Sequence, residues 1–270
     1  LTGTDRENNM TPIPAPSHSE LVDIFIEKYG PAEQLNWSPA LRWKFGYFNP
    51  DDVYEALINK LVRSDTRWLD VGCGRNIFPS NHSLSRSLAD RCTRLVGVDP
   101  DQTLNDNPYV HEKVLGTMED FSDDRQFDLV TMRMVAEHVA RPEELMKSLT
   151  RVTSPGGRVV VYTVYKYSPV PMITNLVPFR LHNPAKRVLW GTEPEDTFPT
   201  CFKMNTQKTL LTLFQQHGFE EKLFMRLDDC RTFSGFKPLA WMELHLRRLL
   251  NSLGLHYPEY CLLGTYEKTY

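Results

Sequence analysis

The stretch Trp68-Leu69-Asp70-Val71-Gly72-Cys73-Gly74-Arg75-Asn76 decides the fold. A short apolar run enters a glycine-rich turn, and a second apolar run, Leu95-Val96-Gly97-Val98-Asp99, follows and ends on an acid. The pattern predicts a strand, a turn where backbone approaches a ligand, a crossover helix, and a second strand presenting a carboxylate. Gly72 and Gly74 lack a Cβ, so main-chain amides there can come close to the polar groups of a ligand. A carboxylate at Asp99 can accept both hydroxyls of a ribose; the plainer alternative is an Asp that caps the turn Asp99-Pro100-Asp101. A dinucleotide site would want a third glycine where this chain has Ile77, which argues against a nicotinamide or flavin dinucleotide. Asp70 suits a cationic or hydroxylated ligand and suits a pyrophosphate poorly.

Outward from that stretch, strand and helix patterns alternate. Strands are predicted near 67–71, 94–98, 110–115, 127–132 and 157–164, and helices near 82–91 and 142–152. Such alternation implies an α/β fold with a doubly wound parallel sheet and helices on both faces. Upstream, Glu20–Tyr29 suits a short amphipathic helix. Asp51 or Asp52 is expected to cap a second helix running to about Arg63, with Val53, Ala56, Leu57, Ile58 and Leu61 on one face. The aromatic cluster Trp37, Trp43, Phe45, Tyr47 and Phe48 reads as a hydrophobic cap over the sheet edge or as a wall of a substrate pocket.

Downstream, Ser154-Pro155-Gly156-Gly157 is a turn ahead of the β-rich run Arg158–Val164. The proline-rich segment Tyr165–Met204 cannot be one regular helix and reads as a lid or binding insert. Asn205 or Thr206 starts a helix to His217, closed by Gly218. Phe219–Leu227 and Tyr260–Lys268 read as strands. Between them Pro238–Leu253 forms a helix with Leu239, Met242, Leu246, Leu249, Leu250 and Leu253 on its apolar side. The expected organisation is an arm over 1–19, with Leu1–Asn9 foreign to the fold ahead of a start at Met10; an N-terminal helical cap over 20–64; and a main domain over 65–270. Inserts 165–204 and 228–258 would form a substrate lid.

Composition narrows the partners. The 270 residues carry 31 Lys and Arg against 34 Asp and Glu, a net charge of −3, so no nucleic-acid partner is expected. The five cysteines are scattered, with no C-x-x-C pair and no zinc spacing, so no metal site, reduced thiols and a cytoplasmic location are the expectation. No apolar run approaches the roughly 18 residues of a transmembrane helix, and no signal-peptide core is present, so a membrane partner is not expected. Oligomeric state cannot be read.

Five ordered motifs over roughly 65 to 165 resemble the class I S-adenosylmethionine-dependent methyltransferases. Leu69-Asp70-Val71-Gly72-Cys73-Gly74 looks like that family's first motif, and Gly97-Val98-Asp99-Pro100 like its ribose-binding strand end. Gly116-Thr117-Met118-Glu119-Asp120-Phe121 is similar to the segment bordering adenine. Phe127-Asp128-Leu129-Val130 with Glu137-His138-Val139 resembles its fourth strand and following helix, and Pro155-Gly156-Gly157-Arg158 the turn before strand five. The resemblance implies a seven-stranded, mostly parallel, Rossmann-like sheet with S-adenosylmethionine as cofactor. It places Gly72, Cys73 and Gly74 under the methionine part and Asp70 near the ammonium. Asp99 and Pro100 would lie at the ribose, Met118 and Glu119 at adenine, and Arg133 beside the cofactor. Two departures stand out: Thr117 replaces the family's frequent Asp, and the turn Asn76–Ser83 is longer and more polar than usual.

The resemblance further implies transfer of a methyl group to an oxygen or nitrogen of a small-molecule acceptor. Non-methyl chemistry on the same sulfonium (aminocarboxypropyl transfer, or cyclisation releasing methylthioadenosine) and a binding-only cofactor sensor are the alternatives. No Asn/Asp-Pro-Pro-Tyr/Phe motif follows strand four, against methylation of amide or ring amino nitrogens. Met134 stands where the metal-binding motif of small-RNA methyltransferases has its first acid. His138 is the general-base candidate, or else packs beneath the cofactor. Tyr162 and Tyr165, with Thr163, are expected to face the acceptor; His182, Trp190 and Asp196 on the insert, and Asp228, Asp229 and Arg231 after strand six, are weaker candidates. The insert Met172–Trp190 mixes apolar and basic residues and reads as a lid over a small-molecule pocket rather than a lipid-facing cover.

Overall fold

The computed structural model describes residues 12–168 and 199–269. The expectations for Leu1–Asn9, for the insert Met172–Trp190 and for His182, Trp190 and Asp196 fall outside these. Seven strands form one sheet: β1 (Arg67–Val71), β2 (Arg94–Asp99), β3 (Glu112–Leu115), β4 (Phe127–Arg133), β5 (Thr153–Val164), β6 (Phe219–Asp228) and β7 (Glu259–Lys268). Their order is β3-β2-β1-β4-β5-β7-β6, parallel throughout except for β7, which runs antiparallel to both β5 and β6. Chain order reverses between β1 and β4, and in open α/β sheets ligands bind outside the carboxyl ends of the strands at such a point.

Seven helices flank the sheet among the described residues: α1 (His18–Tyr29), α2 (Trp37–Phe45), α3 (Pro50–Leu61), α4 (His82–Arg91), α5 (Pro142–Val152), α6 (Gln207–Gln216) and α7 (Lys237–Ser252). Side chains alternate across the pleat, so one face gathers Trp68, Leu95, Leu129 and Val160 against α1, α3 and α4. The other gathers Leu69, Val96, Val130 and Val161 against α5 and α6. The registers Leu69↔Val96 and Leu69↔Val130 keep both stripes intact across the central strands. Both faces are covered, which is why these strands read as continuous apolar runs.

Three local readings change. α1 begins at His18, inside the expected arm, because Ser17 and Glu20 form a capping box. α3 is capped by Asn49 rather than by Asp51 or Asp52. Pro50 occupies the first helical position, and Asp52 closes a capping box with Asn49. Asp51 is thereby released for another task. Ser154–Gly157 does form a loop, but as an outward bulge of β5: Phe127 pairs with Thr153, and pairing resumes at Leu129↔Arg158.

The N-terminal cap is tied down by buried charge. Asp52 accepts from Lys28 at 3.1 Å and from Arg42 at 3.0 Å, while Glu55 accepts from Lys28 at 2.7 Å and from Asn81 at 3.0 Å. Asn81 also caps α4 through the Leu84 amide, so one side chain joins the cap to the turn that follows the glycines.

α7 lies differently from its apolar pattern. The residues it buries are Ala240, Glu243 and Leu244, packed toward Tyr47 and Cys230. Glu243 is satisfied there by the Tyr257 hydroxyl at 2.8 Å. The apolar side of the helix faces outward, with Leu239, Met242, Leu246, Leu249 and Leu253 all exposed.

Candidate functional site

The glycine turn, the end of β2 and the loop after β4 meet at the carboxyl edge of the sheet. β1 is buried through Val71, and the chain then turns sharply at Gly72 (φ +70°) and Gly74 (φ +43°), conformations that favour glycine. A Cβ on Gly72 would run into the Val135 side chain, so the β1 and β4 loops approach as closely as backbone allows. Cys73 points away from this crevice into the core: it is buried, and its Sγ would lie 2.6 Å from a Cβ on Gly97. Burial pushes its thiol well above the ordinary range.

Asp99 ends β2 with its carboxylate held at both oxygens. Oδ2 accepts from the Gly74 amide at 2.8 Å and Oδ1 from the Asp101 amide at 2.7 Å. The acid therefore braces the glycine turn and is itself oriented by it. Asn107 completes the brace, donating to the Gly74 carbonyl at 2.9 Å. Pro100 is exposed beside it, Met118 is buried in the core and Glu119 is half-buried.

Asp70 sits deeper. It is 3% exposed, and the Thr131 hydroxyl donates to its Oδ1 at 2.6 Å while itself accepting from Trp68 Nε1 at 2.7 Å. Burial raises the Asp70 carboxyl to about 7, opposed by the Thr131 hydrogen bond and by Arg133. The Tyr54 hydroxyl from α3 is buried beside Thr131 and near the charges of Asp70 and Arg133.

Next to it lies an ionic cluster drawn from three distant parts of the chain. Asp51 accepts from Arg133 at 3.0 Å, from Arg231 at 2.5 Å and from the Tyr162 hydroxyl at 3.3 Å. Arg231 is also gripped by Asp229 at 2.6 Å. Burial opposes ionisation of Asp51, yet Arg133 and Arg231 hold its carboxyl well below the usual range. Tyr162 is fully buried, stacked on Tyr54 with ring centroids 5.0 Å apart.

Past β4, Met134 adopts φ +53° and donates its amide to the Tyr162 carbonyl at 2.7 Å, redirecting the chain. Glu137 is buried and accepts from Thr163 at 2.7 Å. His138 is half-buried with Nδ1 3.2 Å from the Pro199 carbonyl, an arrangement that places the proton on Nδ1. Tyr165 is half-buried at the end of β5 beneath Arg226, away from the Asp51 cluster.

Asp70, Gly72, Gly74 and Asp99 thus come together at the carboxyl ends of β1 and β2, with Arg133 at the end of β4. The sequence offers Asp51 only as a helix cap and gives no signal for Tyr54, Thr131 or Asn107. That role could have been withdrawn from Asp51, since Asn-Pro is a strong helix start that frees the acid after it. Nothing in sequence spacing links Asp51 to Arg133 or Arg231.

A crevice with two carboxylates at neighbouring strand ends and glycines between them is that of a nucleoside-binding α/β enzyme. The profile of the methyltransferase-domain family matches residues 46–221. The chain belongs to that family and is a class I S-adenosylmethionine-dependent methyltransferase, as the motifs imply. It is 25% identical over 189 residues to the ubiquinone biosynthesis O-methyltransferase of Coxiella burnetii, covering 63% of this chain and 78% of that one. The mitochondrial ubiquinone biosynthesis O-methyltransferase of Dictyostelium discoideum is 33% identical over 119 residues, 36% of this chain and 35% of that one. Among solved structures, the [4+2]-cyclase SpnF superposes with a TM-score of 0.51 at 16% identity, over 95% of this chain and 98% of that chain. That likeness is one of fold, and a cyclase on this fold illustrates that architecture alone does not determine chemistry.

The site's residues fit the cofactor. A buried carboxyl raised by desolvation gains from a cationic neighbour, and the glycine cradle would be filled by any Cβ at Gly72. Among the described residues no cluster of His, Cys, Asp and Glu could hold a metal ion.

Proposed function

We propose that the enzyme transfers the methyl group of S-adenosylmethionine to an oxygen, or a nitrogen, of a small molecule. The observation that carries this reading is the double clamp on Asp99, whose oriented carboxylate shares one turn with Gly72, Gly74 and Asp70. Asp99 accepts the ribose hydroxyls, with Pro100 beside it. Asp70 faces the ammonium of the amino-acid part, and the backbone of Gly72, Cys73 and Gly74 lies beneath it. Met118 and Glu119 border the adenine. Arg133 holds the β4 loop against α3 through Asp51.

When bound, the cofactor supplies an electrophilic methyl on a sulfonium. The chain's own task is to hold the acceptor in line with that methyl and to receive its proton. His138 is the proposed base. Tyr162 is a positioning residue, since its hydroxyl orients Asp51 from within the core. Tyr165 contributes to the acceptor side of β5. The names of the Coxiella and Dictyostelium relatives favour oxygen over nitrogen.

The test is product analysis with a panel of phenols and amines. Equal yields of methylated acceptor and S-adenosylhomocysteine support the proposal. Methylthioadenosine as the nucleoside product would overturn it in favour of aminocarboxypropyl transfer or cyclisation.

A further inference from the structure

The outward face of α7 is the largest feature that methyl transfer leaves unused. Phe236, Trp241, Met242, Leu246, Leu249 and Leu253 are each between 48% and 64% exposed. Met242, Leu246, Leu249 and Leu253 recur at three- and four-residue intervals and so form one stripe, opposite the Ala240, Glu243 and Leu244 side that packs on the protein. A stripe of this size is uncommon on a free monomer and marks an interaction surface.

Charge says what it meets. Lys237 and Arg248 are exposed on α7 and lie, around the helix, between the buried Leu244 and the exposed Trp241. The helix's acid, Glu243, is turned inward and satisfied by Tyr257 and by the Phe233 amide. Arg247 is drawn back to Asp228. The outward surface is therefore apolar with a basic flank and no exposed acid, on a chain whose net charge is −3. A helix with leucine and tryptophan on one side and arginine and lysine beside it matches an anionic lipid surface, with the apolar stripe in the acyl boundary and the cations at the headgroups.

We infer that α7 docks this enzyme onto the surface of an anionic phospholipid bilayer, as a peripheral contact. Among the described residues no helix is long and apolar enough to cross a membrane. α7 follows the carboxyl end of β6 and packs on α2, with the Phe45 and His245 rings 4.7 Å apart. The inference stands apart from the identity of the methyl acceptor.

Co-sedimentation of the full chain with vesicles of phosphatidylglycerol and phosphatidylcholine in equal parts, and with phosphatidylcholine alone, tests it. Binding to the anionic vesicles is expected, with a blue shift in tryptophan emission that Trp241→Phe removes. Leu246→Glu with Leu249→Glu lowers partitioning more than about tenfold, because two buried side chains are lost and two like charges added. Lys237→Gln with Arg248→Gln lowers binding to the anionic vesicles about tenfold or more and leaves the neutral vesicles unaffected. All these positions are exposed, so unchanged far-ultraviolet circular dichroism and melting are expected of every variant. Failure of the wild type to sediment with anionic vesicles overturns the inference. So does a dimer in analytical ultracentrifugation that the two glutamates dissociate while vesicle binding is absent.

Discussion

Replacing Asp99 with Asn is the sharpest perturbation of the site, because it changes charge and hydrogen-bond valence with almost no change of shape. In the native turn both carboxylate oxygens accept, from Gly74 N at 2.8 Å and from Asp101 N at 2.7 Å. An asparagine has one acceptor oxygen, so its amide must point at one of these two donors. The orphaned donor costs about 1–3 kcal/mol, and the glycine turn loses half its brace. Bonds from ribose hydroxyls to a charged acceptor, worth about 1.5–3 kcal/mol each, also fall to the neutral range of about 0.5–1.5 kcal/mol. Together these predict a loss of about 2–4 kcal/mol in binding, or roughly thirty- to a thousand-fold in Kd. Asp99→Ala, which removes the acceptors altogether, is expected to do no better than Asn. Isothermal titration with S-adenosylhomocysteine at fixed salt measures both. An Asn variant that binds within about threefold of wild type would refute the reasoning, since it would mean that neither charge nor the second acceptor matters.

Asp70→Asn should act through pH. With its carboxyl raised to about 7, the ligand-free fold holds a proton that the unfolded chain gives up near pH 4, so stability falls as pH rises between these values. Thermal melts of Asp70→Asn should lose part of that decline, the remainder coming from Glu55, which burial also raises to about 7. Cofactor affinity in wild type should weaken as pH falls below about 7 and become flat, and lower, in the variant. Asp51→Ala leaves Arg133 without its carboxylate, while Arg231 keeps Asp229, and should cost about 1–3 kcal/mol in denaturant unfolding. The stability Asp51 contributes is present above pH about 4 and lost as pH falls below it, the opposite sense to Asp70. His138→Ala should lower turnover by about a hundredfold or more while cofactor affinity stays within about twofold; equal losses in both would reduce it to packing. Gly72→Ala forces a Cβ into Val135 at φ +70° and should abolish cofactor binding with a clear drop in melting temperature.

Much of the fold was legible because the sheet is covered on both faces. The runs 67–71, 94–98 and 127–132 place apolar residues on both faces of the sheet, interrupted by Asp70, Asp128 and Thr131. Direction was less legible. β7 carries the same kind of run as β5, and nothing in Tyr260–Lys268 states that it enters the sheet antiparallel. The α7 stripe was legible as a stripe, but periodicity reports amphipathicity and not which side meets the protein. That side is settled by Ala240, Leu244 and the buried Glu243. At the site, the contiguous turn 70–74 and the strand-end acid at 99 were readable because their spacing is local to a βαβ unit. The Asp51–Arg133–Arg231 cluster was not, since its members come from α3, β4 and the loop after β6, and only the folded sheet brings them together.

Everything above turns on this chain moving a methyl group. Incubation with S-adenosylmethionine bearing a deuterated methyl, together with the acceptor panel, and mass spectrometry of both products tests it most directly. The intact labelled methyl is expected on an acceptor oxygen or nitrogen, with S-adenosylhomocysteine formed in equal amount. Retention of the label in methylthioadenosine, or tight S-adenosylhomocysteine binding with no labelled acceptor across the panel, would contradict it.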